Sequence, residues 1–350
     1  MNLTDGEKCM DFPRKGSRWE AGLKSGLQSS EIPVTILHRK WKEGIVMQSG
    51  QIVAGQTCVM FLYMLVGYVL TRVGMLREQG SKDLANMLVY LFLPAVLIKS
   101  FCEPFSTEKL AQFGISTLAA VVGLALCITV SRLVFRKAPM DFFSASFSNA
   151  GFMGIPLVES LFGVQAVSYL VGYIALMNLV QWGYGLSILT GKKKRFTLKT
   201  VVTNPLLIAP FIGFLLFCTG LAEHIPVPVS KALSGIAGCN GPLAMIVLGS
   251  YLAKSSLKRL FTTKRQYATC AVRLLLIPLV VMAVFALLPI DRTVRLTVFI
   301  ACAAPVGANV AVYSQLFDLD YPYACQSVAL STLLSILTMP LMIIAASFAF

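Results

Sequence analysis

Ten stretches of mostly apolar residues, each about as long as the 20 residues that cross a bilayer as a helix, limit the folds open to this chain. They run over residues 50–72, 84–102, 111–134, 141–163, 165–190, 200–221, 231–253, 266–288, 292–316 and 322–349. Charged residues make up only 13% of the chain, whereas soluble domains carry about 25%. The sequence therefore predicts an all-α integral membrane protein with ten transmembrane helices embedded in a lipid bilayer.

The basic residues alternate from loop to loop, and this alternation predicts the orientation of the chain. Lys and Arg cluster after the first, third, fifth and seventh stretches, in the segments 72–82, 132–137, 192–199 and 254–265, and are sparse in the loops between them. Cytoplasmic loops carry this excess, so both termini are predicted outside and the protein in the cell membrane. Because the formal charge of +14 is spread over short loops and not over one face, no nucleic-acid partner is expected.

Residues 1–46 form a polar, basic N-terminal tail that differs from the rest of the chain. The tail has no apolar run long enough for a signal peptide. It is either a disordered or interfacial segment, or the product of an over-long gene prediction with Met47 as the true start. We favour Met47, since Lys42-Glu43-Gly44 must be encoded by purine-rich codons just upstream, as a ribosome-binding site would be.

The residues that build metal and catalytic sites are scarce. The nine cysteines are scattered without a CxxC pair, and His38 and His224 are the only histidines, so neither a metal site nor a disulfide framework is predicted. No GxSG motif occurs, no histidine falls within an apolar stretch, and Glu159 is interpreted as the only well-embedded carboxylate. We therefore expect neither an enzyme nor a bound cofactor.

The ten stretches divide into two sets of five, 47–190 and 200–350, on either side of the basic linker 191–199. An odd number of spans in each half forces the halves into opposite orientations. Pro94 and Pro242, in the second and seventh stretches, are 148 residues apart, and Pro156 and Pro305, in the fourth and ninth, are 149 apart. These offsets fit two inverted five-helix repeats.

The fourth and ninth stretches combine proline, glycine and asparagine near their midpoints. Proline breaks a helix, and in lipid the freed backbone groups need partners in protein or water. Each stretch is therefore interpreted as two half-helices joined by an unwound elbow, and half-helix N-termini that meet at the midplane would form an anion site. The predicted substrate-binding residues are Asn149, Gly151, Gly154, Pro156, Pro305, Gly307 and Asn309.

Two ionisable residues within the apolar stretches are functional candidates. Glu159, one turn after Pro156, either binds a coupling proton or cation, or lies near enough to the outer interface to stay solvated. Arg273 either counters an anionic substrate or extends to the cytoplasmic interface along its aliphatic stem, and we favour the second interpretation.

Two amide residues in the fifth stretch are a further pair of candidates. Asn178 and Gln181 are three residues apart and so share a helix face. They either line the cavity beside the elbow or hydrogen-bond to a neighbouring helix. The spacing fits both interpretations.

The segment SNAGFMGIPL (148–157) resembles the signature of the auxin efflux carrier family, also called the membrane transport protein family. This family includes bacterial malate and malonate permeases and is related to the plant PIN carriers. Further similar segments are LVGYVLTRVGML (65–76), LFLPAVL (91–97), TNPLLIAPFIG (203–213), PLAMIVLGSYLA (242–253), RLLLIPLV (273–280), AAPVGANVAVYSQLFDLDY (303–321) and STLLSILTMPLM (331–342). The resemblance covers residues 47 to 350.

This resemblance implies ten helices in two inverted repeats, with the fourth and ninth broken and crossing at their prolines, as in bile-acid symporters and sodium/proton antiporters. It implies a permease or efflux carrier that moves small organic anions by an elevator-like rearrangement of a crossing-helix domain against a scaffold. We expect a secondary transporter that works by alternating access and is driven by an H⁺ or Na⁺ gradient or by the substrate gradient. The resemblance also implies a homodimer. A non-transporting membrane sensor of the same fold is the alternative, because a binding site looks the same whether or not the protein cycles.

Overall fold

A computed structural model describes residues 34–191, 205–254 and 262–350 of the chain. Within these ranges the chain forms helices joined by short loops, and two extended residues form an isolated bridge. The first half contains α1 (Val34–Arg72), α2 (Glu78–Lys99), α3 (Thr107–Val134), α4 (Pro139–Ser146), α5 (Ala150–Phe162) and α6 (Val164–Thr190). The second half contains α7 (Pro205–Cys218), α8 (Val227–Lys254), α9 (Lys264–Ala286), α10 (Arg292–Ala303), α11 (Asn309–Leu316) and α12 (Tyr321–Ala349).

Every stretch predicted to cross the membrane contains helix in the structure. Of the described helices, seven are long and apolar enough to span a bilayer: α1 through its segment Gln51–Arg72, α2, α3, α6, α8, α9 and α12. The fourth predicted span is divided into α4 and α5, and the ninth into α10 and α11. The all-helical, multi-pass membrane architecture is confirmed, and the ten crossings in two inverted repeats stay a prediction.

The predicted boundaries at the N-terminus and between the halves are only partly described. Helix α1 begins at Val34, within the predicted tail 1–46, and continues past Met47 without interruption. Residues 1–33 lie outside the described residues, as do residues 192–199 of the predicted linker. Gly191 follows α6 with a positive φ of 68°, a backbone angle that glycine adopts without strain and that commonly ends helices.

Three helices widen into a five-residue π-turn that ends two residues before a proline. These turns are Leu88–Phe92 before Pro94, Ala150–Gly154 before Pro156 and Val272–Leu276 before Pro278. A proline ring clashes with the carbonyl four residues earlier, and in each case that carbonyl lies in the middle of the π-turn. The wider turn gives the ring room, so these prolines are accommodated inside helices.

Helices α1 and α8 touch backbone to backbone through two glycines. A Cβ added to Gly67 would lie 2.0 Å from the carbonyl oxygen of Ile246, and one added to Gly249 would lie 2.0 Å from that of Met64. Neither position has space for any side chain. This contact holds α8 firmly against α1. Neither helix is one of the two broken helices.

Candidate functional site

The interruptions in the two broken helices meet and pair through their main chains. Ser148 and Val306 form an antiparallel bridge, and the N–H of Asn149 donates to the carbonyl oxygen of Pro305 at 2.8 Å. The chain between α4 and α5 therefore crosses the chain between α10 and α11. We call the paired segments 147–149 and 304–308 the crossing.

Gly307 allows the two chains of the crossing to approach this closely. Its N–H donates to the carbonyl oxygen of Phe147 at 3.0 Å. A Cβ at this position would lie 2.9 Å from the carbonyl oxygen of Ser148 and 3.2 Å from that of Phe147, which is too close to the partner backbone. Glycine at position 307 is therefore needed for the two backbones to approach, and its predicted role in substrate binding stays a prediction.

The crossing does not lie at both prolines, so the expectation taken from the family resemblance is wrong for one of them. Pro305 is in the crossing, whereas Pro156 occupies the first turn of the α-helical part of α5. Gly151 and Gly154 lie in the π-turn that opens α5. The predicted elbow over residues 149–156 is therefore shorter and begins earlier, because the π-turn accommodates Pro156 within the helix.

Arg273 of α9 binds the carbonyl groups where the first halves of both broken helices end. Its Nε donates to the carbonyl oxygen of Ala304 at 2.8 Å, its Nη1 to that of Ala145 at 3.0 Å, and its Nη2 to that of Cys302. The last carbonyls of a helix lack partners within the helix and carry partial negative charge. The side chain is 0% exposed, so the interpretation that Arg273 extends to the interface is wrong.

Helix α12 supplies a partner for one further backbone group of the crossing. The N–H of Val306 donates to Oγ of Ser331 at 3.2 Å, and that hydroxyl donates to the carbonyl oxygen of Val328. Arg273 and Ser331 together satisfy backbone groups that the two helix breaks release. Such groups need protein partners where no water is available.

The side-chain amide of Asn149 is buried at the crossing without a hydrogen-bond partner for its Nδ2. Asn149 is 5% exposed, and its Nδ2 contacts no acceptor. A buried donor without a partner costs about 1–3 kcal/mol and is rare in native structures. Asn149 immediately precedes α5, so a hydrogen-bond acceptor bound at the N-terminus of that helix would satisfy this donor.

On the other side of the crossing, Asn309 and Gln181 bind each other. Nδ2 of Asn309 donates to Oε1 of Gln181 at 2.8 Å, and Nε2 of the fully buried Gln181 is left without a partner. Gln181 thus reaches across to a neighbouring helix, as one interpretation of the sequence proposed. Asn178 does not, since its Nδ2 donates to the carbonyl oxygen of Ile174 in its own helix at 2.8 Å.

Glu159 is half-buried on α5, one turn beyond Pro156. Among the described residues, no basic side chain lies within ion-pair distance of its carboxylate. Glu159 lies on the second half of a broken helix, as the sequence predicted. Both interpretations of its role stay open.

Sequence reasoning missed a second buried carboxylate, Asp141 in the first turn of α4, and wrongly took Glu159 as the only one. Asp141 is 0% exposed and accepts hydrogen bonds from Arg265 Nε at 2.5 Å, Thr269 Oγ1 at 2.9 Å and the Tyr323 hydroxyl at 2.5 Å. These donors belong to α9 and α12. Asp141 therefore ties the start of the first broken helix to two other helices.

No metal site is visible in the part of the chain that the structure describes. Within it, no three His, Cys, Asp or Glu residues lie close enough to hold an ion. The polar groups around the crossing include amides, hydroxyls, thiols and one guanidinium, and the amides, hydroxyls and guanidinium can donate hydrogen bonds to an anion.

The helices and the crossing define a multi-pass membrane protein with two broken helices that meet. Two consecutive stretches, residues 53–201 and 194–343, match the model of the membrane transport protein family. The chain belongs to this family of transporters, as its resemblance to auxin efflux carriers indicated.

Individual relatives agree with this assignment. The chain is 23% identical over 301 residues to an uncharacterized transporter of Methanocaldococcus jannaschii. The aligned region covers 81% of this chain and 95% of the relative. It is 24% identical over 288 residues to an uncharacterized transporter of Methanothermobacter thermautotrophicus, covering 79% and 93%. It is also 26% identical over 308 residues to the lysosomal cholesterol signaling protein of Mus musculus, covering 79% of this chain and 35% of that protein.

Proposed function

We propose that the protein is a secondary transporter that moves small organic anions, such as carboxylates, across the cell membrane by alternating access. The substrate binds at the crossing and is coupled to H⁺ or Na⁺. The observation that carries this proposal is the buried, unpartnered Nδ2 of Asn149 beside the N-terminus of α5. A carboxylate oxygen is the acceptor that such a donor and such a helix end favour.

The charges around the crossing also favour an anion. Arg273 contributes one positive charge, and no acidic side chain among the described residues lies within ion-pair distance of it. Helix ends carry about half an elementary charge each, so the two C-termini that Arg273 binds contribute about −1 and the two following N-termini about +1. The sum is about +1, and an anion neutralises it.

The ten-span inverted repeat is part of this proposal. The family model matches the chain twice in succession, over 53–201 and 194–343, which supports two repeats. Each repeat contains five predicted spans, so the two have opposite orientations, and each contributes one broken helix to the crossing. Alternating access in such transporters moves one part of the molecule against another around a central site.

Every predicted residue except Asn178 has a role in this arrangement. Asn149, Asn309 and Gln181 bind the anion through their amides, while Pro305, Gly307 and Arg273 maintain the geometry of the crossing. Gly151, Gly154 and Pro156 shape the π-turn that follows it, and Glu159 binds the coupling ion.

One observation favours a second candidate function. The mouse relative is named as a signaling protein, and 65% of its length lies outside the match, since the matched part covers 35%. A membrane ligand sensor would use the same crossing to bind its ligand without moving it. Flux through a membrane separates the two functions.

The test is uptake of radiolabelled carboxylates by proteoliposomes that contain the full chain, with and without proton and sodium gradients. We expect gradient-dependent uptake by the wild type. We expect Asn149→Ala to reduce uptake about tenfold or more, because the variant loses one charge-assisted hydrogen bond to the substrate. Asn178→Ala is the matched control, because this buried amide already has a partner in its own helix.

Three outcomes separate the hypotheses. Uptake that depends on Asn149 and not on Asn178 supports the transporter. Carboxylate-induced thermal stabilisation without uptake indicates the sensor. Equal uptake by both variants and wild type contradicts the assignment of the site to the crossing.

A further inference from the structure

Helix α6 contains a fourth π-turn, Gln181–Gly185, that no proline follows within the helix. The backbone N–H of Leu186 donates to the carbonyl oxygen of Gln181, five residues earlier, whereas an α-helix joins residues four apart. The other three π-turns each make room for a proline ring, and residues 186–190, which complete α6, include none. This turn therefore has a different cause, and π-turns are frequent at functional sites.

The π-turn of α6 contacts both broken helices. Oε1 of Gln181, its first residue, accepts a hydrogen bond of 2.8 Å from Nδ2 of Asn309, the first residue of α11. Gly185, its last residue, packs against the ring of Phe147 in the crossing, since an added Cβ would lie 2.5 Å from Cε2 of that ring. One end of the turn thus contacts the second broken helix, and the other end contacts the first.

These two contacts do not require the additional residue that a π-turn contains. In a chain one residue shorter, the N–H of Leu186 would reach the same carbonyl oxygen of Gln181 at the ordinary α-helical spacing. The segments on both sides would keep their positions, and Gln181 and Gly185 would keep their contacts. The additional residue therefore serves neither a proline nor the packing on the broken helices.

The additional residue gives α6 a second arrangement. When the turn becomes α-helical, its two flanking segments rotate relative to each other by about 100° and move apart by about 1.5 Å, the values for one residue. Gln181 and Gly185 cannot both keep their present contacts after this rotation. Gly183 and Gly185 ease the change, because glycine adopts backbone angles that other residues avoid.

The three proline-linked π-turns lack this freedom. At Leu88–Phe92, return to an α-helical turn would bring the ring of Pro94 against the carbonyl group of Tyr90. Among the π-turns of the described residues, the one in α6 alone converts without such a clash. It is therefore the one suited to change during a transport cycle.

We propose that the π-turn of α6 is a conformational switch of the transport cycle. In one state the turn is a π-turn, and α6 binds both broken helices. In the other state the turn is α-helical, and α6 releases either Asn309 or Phe147. This inference rests on the proposed transport function and adds to it an element that changes conformation beside the crossing.

The first test is deletion of Gly183, which leaves an α-helical turn that can no longer convert. We expect this variant to melt at the wild-type temperature or above and to be stabilised by carboxylates as wild type is. Its uptake of labelled carboxylate into proteoliposomes should fall at least about tenfold, because conformational steps of this kind limit turnover. Deletion of Leu170, in the regular part of α6, is the matched control and should prevent folding, since it turns half of the helix by about 100°.

The second test is hydrogen exchange, which needs no substrate. Asn309→Leu removes the donor that binds Gln181, so the turn should shift to the α-helical state and the amides of residues 182–190 should exchange about tenfold more slowly. Simple loss of a packing contact would instead make these amides exchange faster. The amides of Leu88–Phe92 should keep the wild-type rate, and deletion of Gly183 should abolish the effect of Asn309→Leu.

Three results would each overturn the inference: uptake at the wild-type rate after deletion of Gly183, failure of that variant to fold, and unchanged or faster exchange in Asn309→Leu. They leave the proposed transport function intact, which fails only if wild type moves no carboxylate. In that case the melting temperatures and the exchange rates still decide whether the turn converts.

Discussion

The backbone N–H of Asn149 donates to the carbonyl oxygen of Pro305 across 2.8 Å, joining two helices whose breaks lie in different halves of the sequence. Because this bond joins two main-chain atoms, it holds the backbone of Asn149 in place and does not involve the side-chain amide. The amide is therefore available to a ligand. The crossing is at once the contact between the halves and the scaffold of the proposed site.

Replacing Gly307 by alanine should destabilise the protein by about 2 kcal/mol, because overpacking a tight contact typically costs about 1–3 kcal/mol. The added Cβ would lie 2.9 Å from the carbonyl oxygen of Ser148, and φ of Gly307 is not positive, so space alone opposes the change. Gly154→Ala is the control, because its Cβ would make ordinary 3.7 Å contacts with Ala150 and Leu170. Thermal unfolding in detergent should show a lower melting temperature only for Gly307→Ala, and equal values would contradict the steric account.

Replacing Arg273 by methionine should destabilise the protein by at least about 3 kcal/mol. Three buried carbonyls lose their donor, and each unpaired group costs about 1–3 kcal/mol. Arg273→Lys should have an intermediate effect, since an ammonium lacks the planar fork that reaches several acceptors at once. Arg136→Met, at an exposed position, is the control for loss of charge, and a melting temperature of Arg273→Met equal to that of the control would refute the role given to Arg273.

The Asp141 cluster should show coupled energetics. Asp141→Asn and Tyr323→Phe each remove part of a charge-assisted hydrogen bond, for which about 1.5–3 kcal/mol is typical. Because both changes break the same contact, the double variant should be less destabilised than the sum of the single variants. Additive shifts in unfolding free energy would show that the contact contributes nothing. Arg265 is largely exposed and stays hydrated without its partner, so we expect the effects near the lower end of this range.

The orientation of the chain can be tested by chemical labelling of intact cells. Single cysteines replace Glu223 and Arg136, two exposed positions in loops predicted on opposite sides of the membrane, in a variant without the nine native cysteines. A membrane-impermeant maleimide should label Glu223→Cys and leave Arg136→Cys unlabelled until the cells are opened. Labelling of Arg136→Cys alone in intact cells would reverse the predicted topology.

The positions of the helices could be predicted because a bilayer requires about 20 mostly apolar residues for each helical span. Runs of apolar residues therefore mark the helices along the whole chain. The breaks in the fourth and ninth spans could also be predicted, since proline, glycine and asparagine together are unusual in a helix that faces lipid. The partners of the breaks could not be predicted, because hydrogen bonding between them depends on contacts far apart in sequence.

Particular residues show where sequence patterns reach their limit. Pro156 looked like an elbow, yet the π-turn before it absorbs the clash. Proline alone does not specify a π-turn, since Pro340 lies inside α12 without one. Arg273 looked free to extend to the interface, and only the folded chain shows that its guanidinium turns toward carbonyls 128 and 31 residues away. Asp141 lies at the start of an apolar stretch, where a solvated carboxylate is the ordinary expectation.

The contacts of Arg273 have a consequence for how this protein tolerates mutation. Its acceptors at Ala145, Cys302 and Ala304 are main-chain carbonyls, which every amino acid carries. Substitutions at those three positions therefore keep the acceptors, and no substitution there can compensate for a lost guanidinium. The three acceptors depend on the identity of their own residues only through packing, since all three residues are 0% exposed, whereas the donor depends on a single codon.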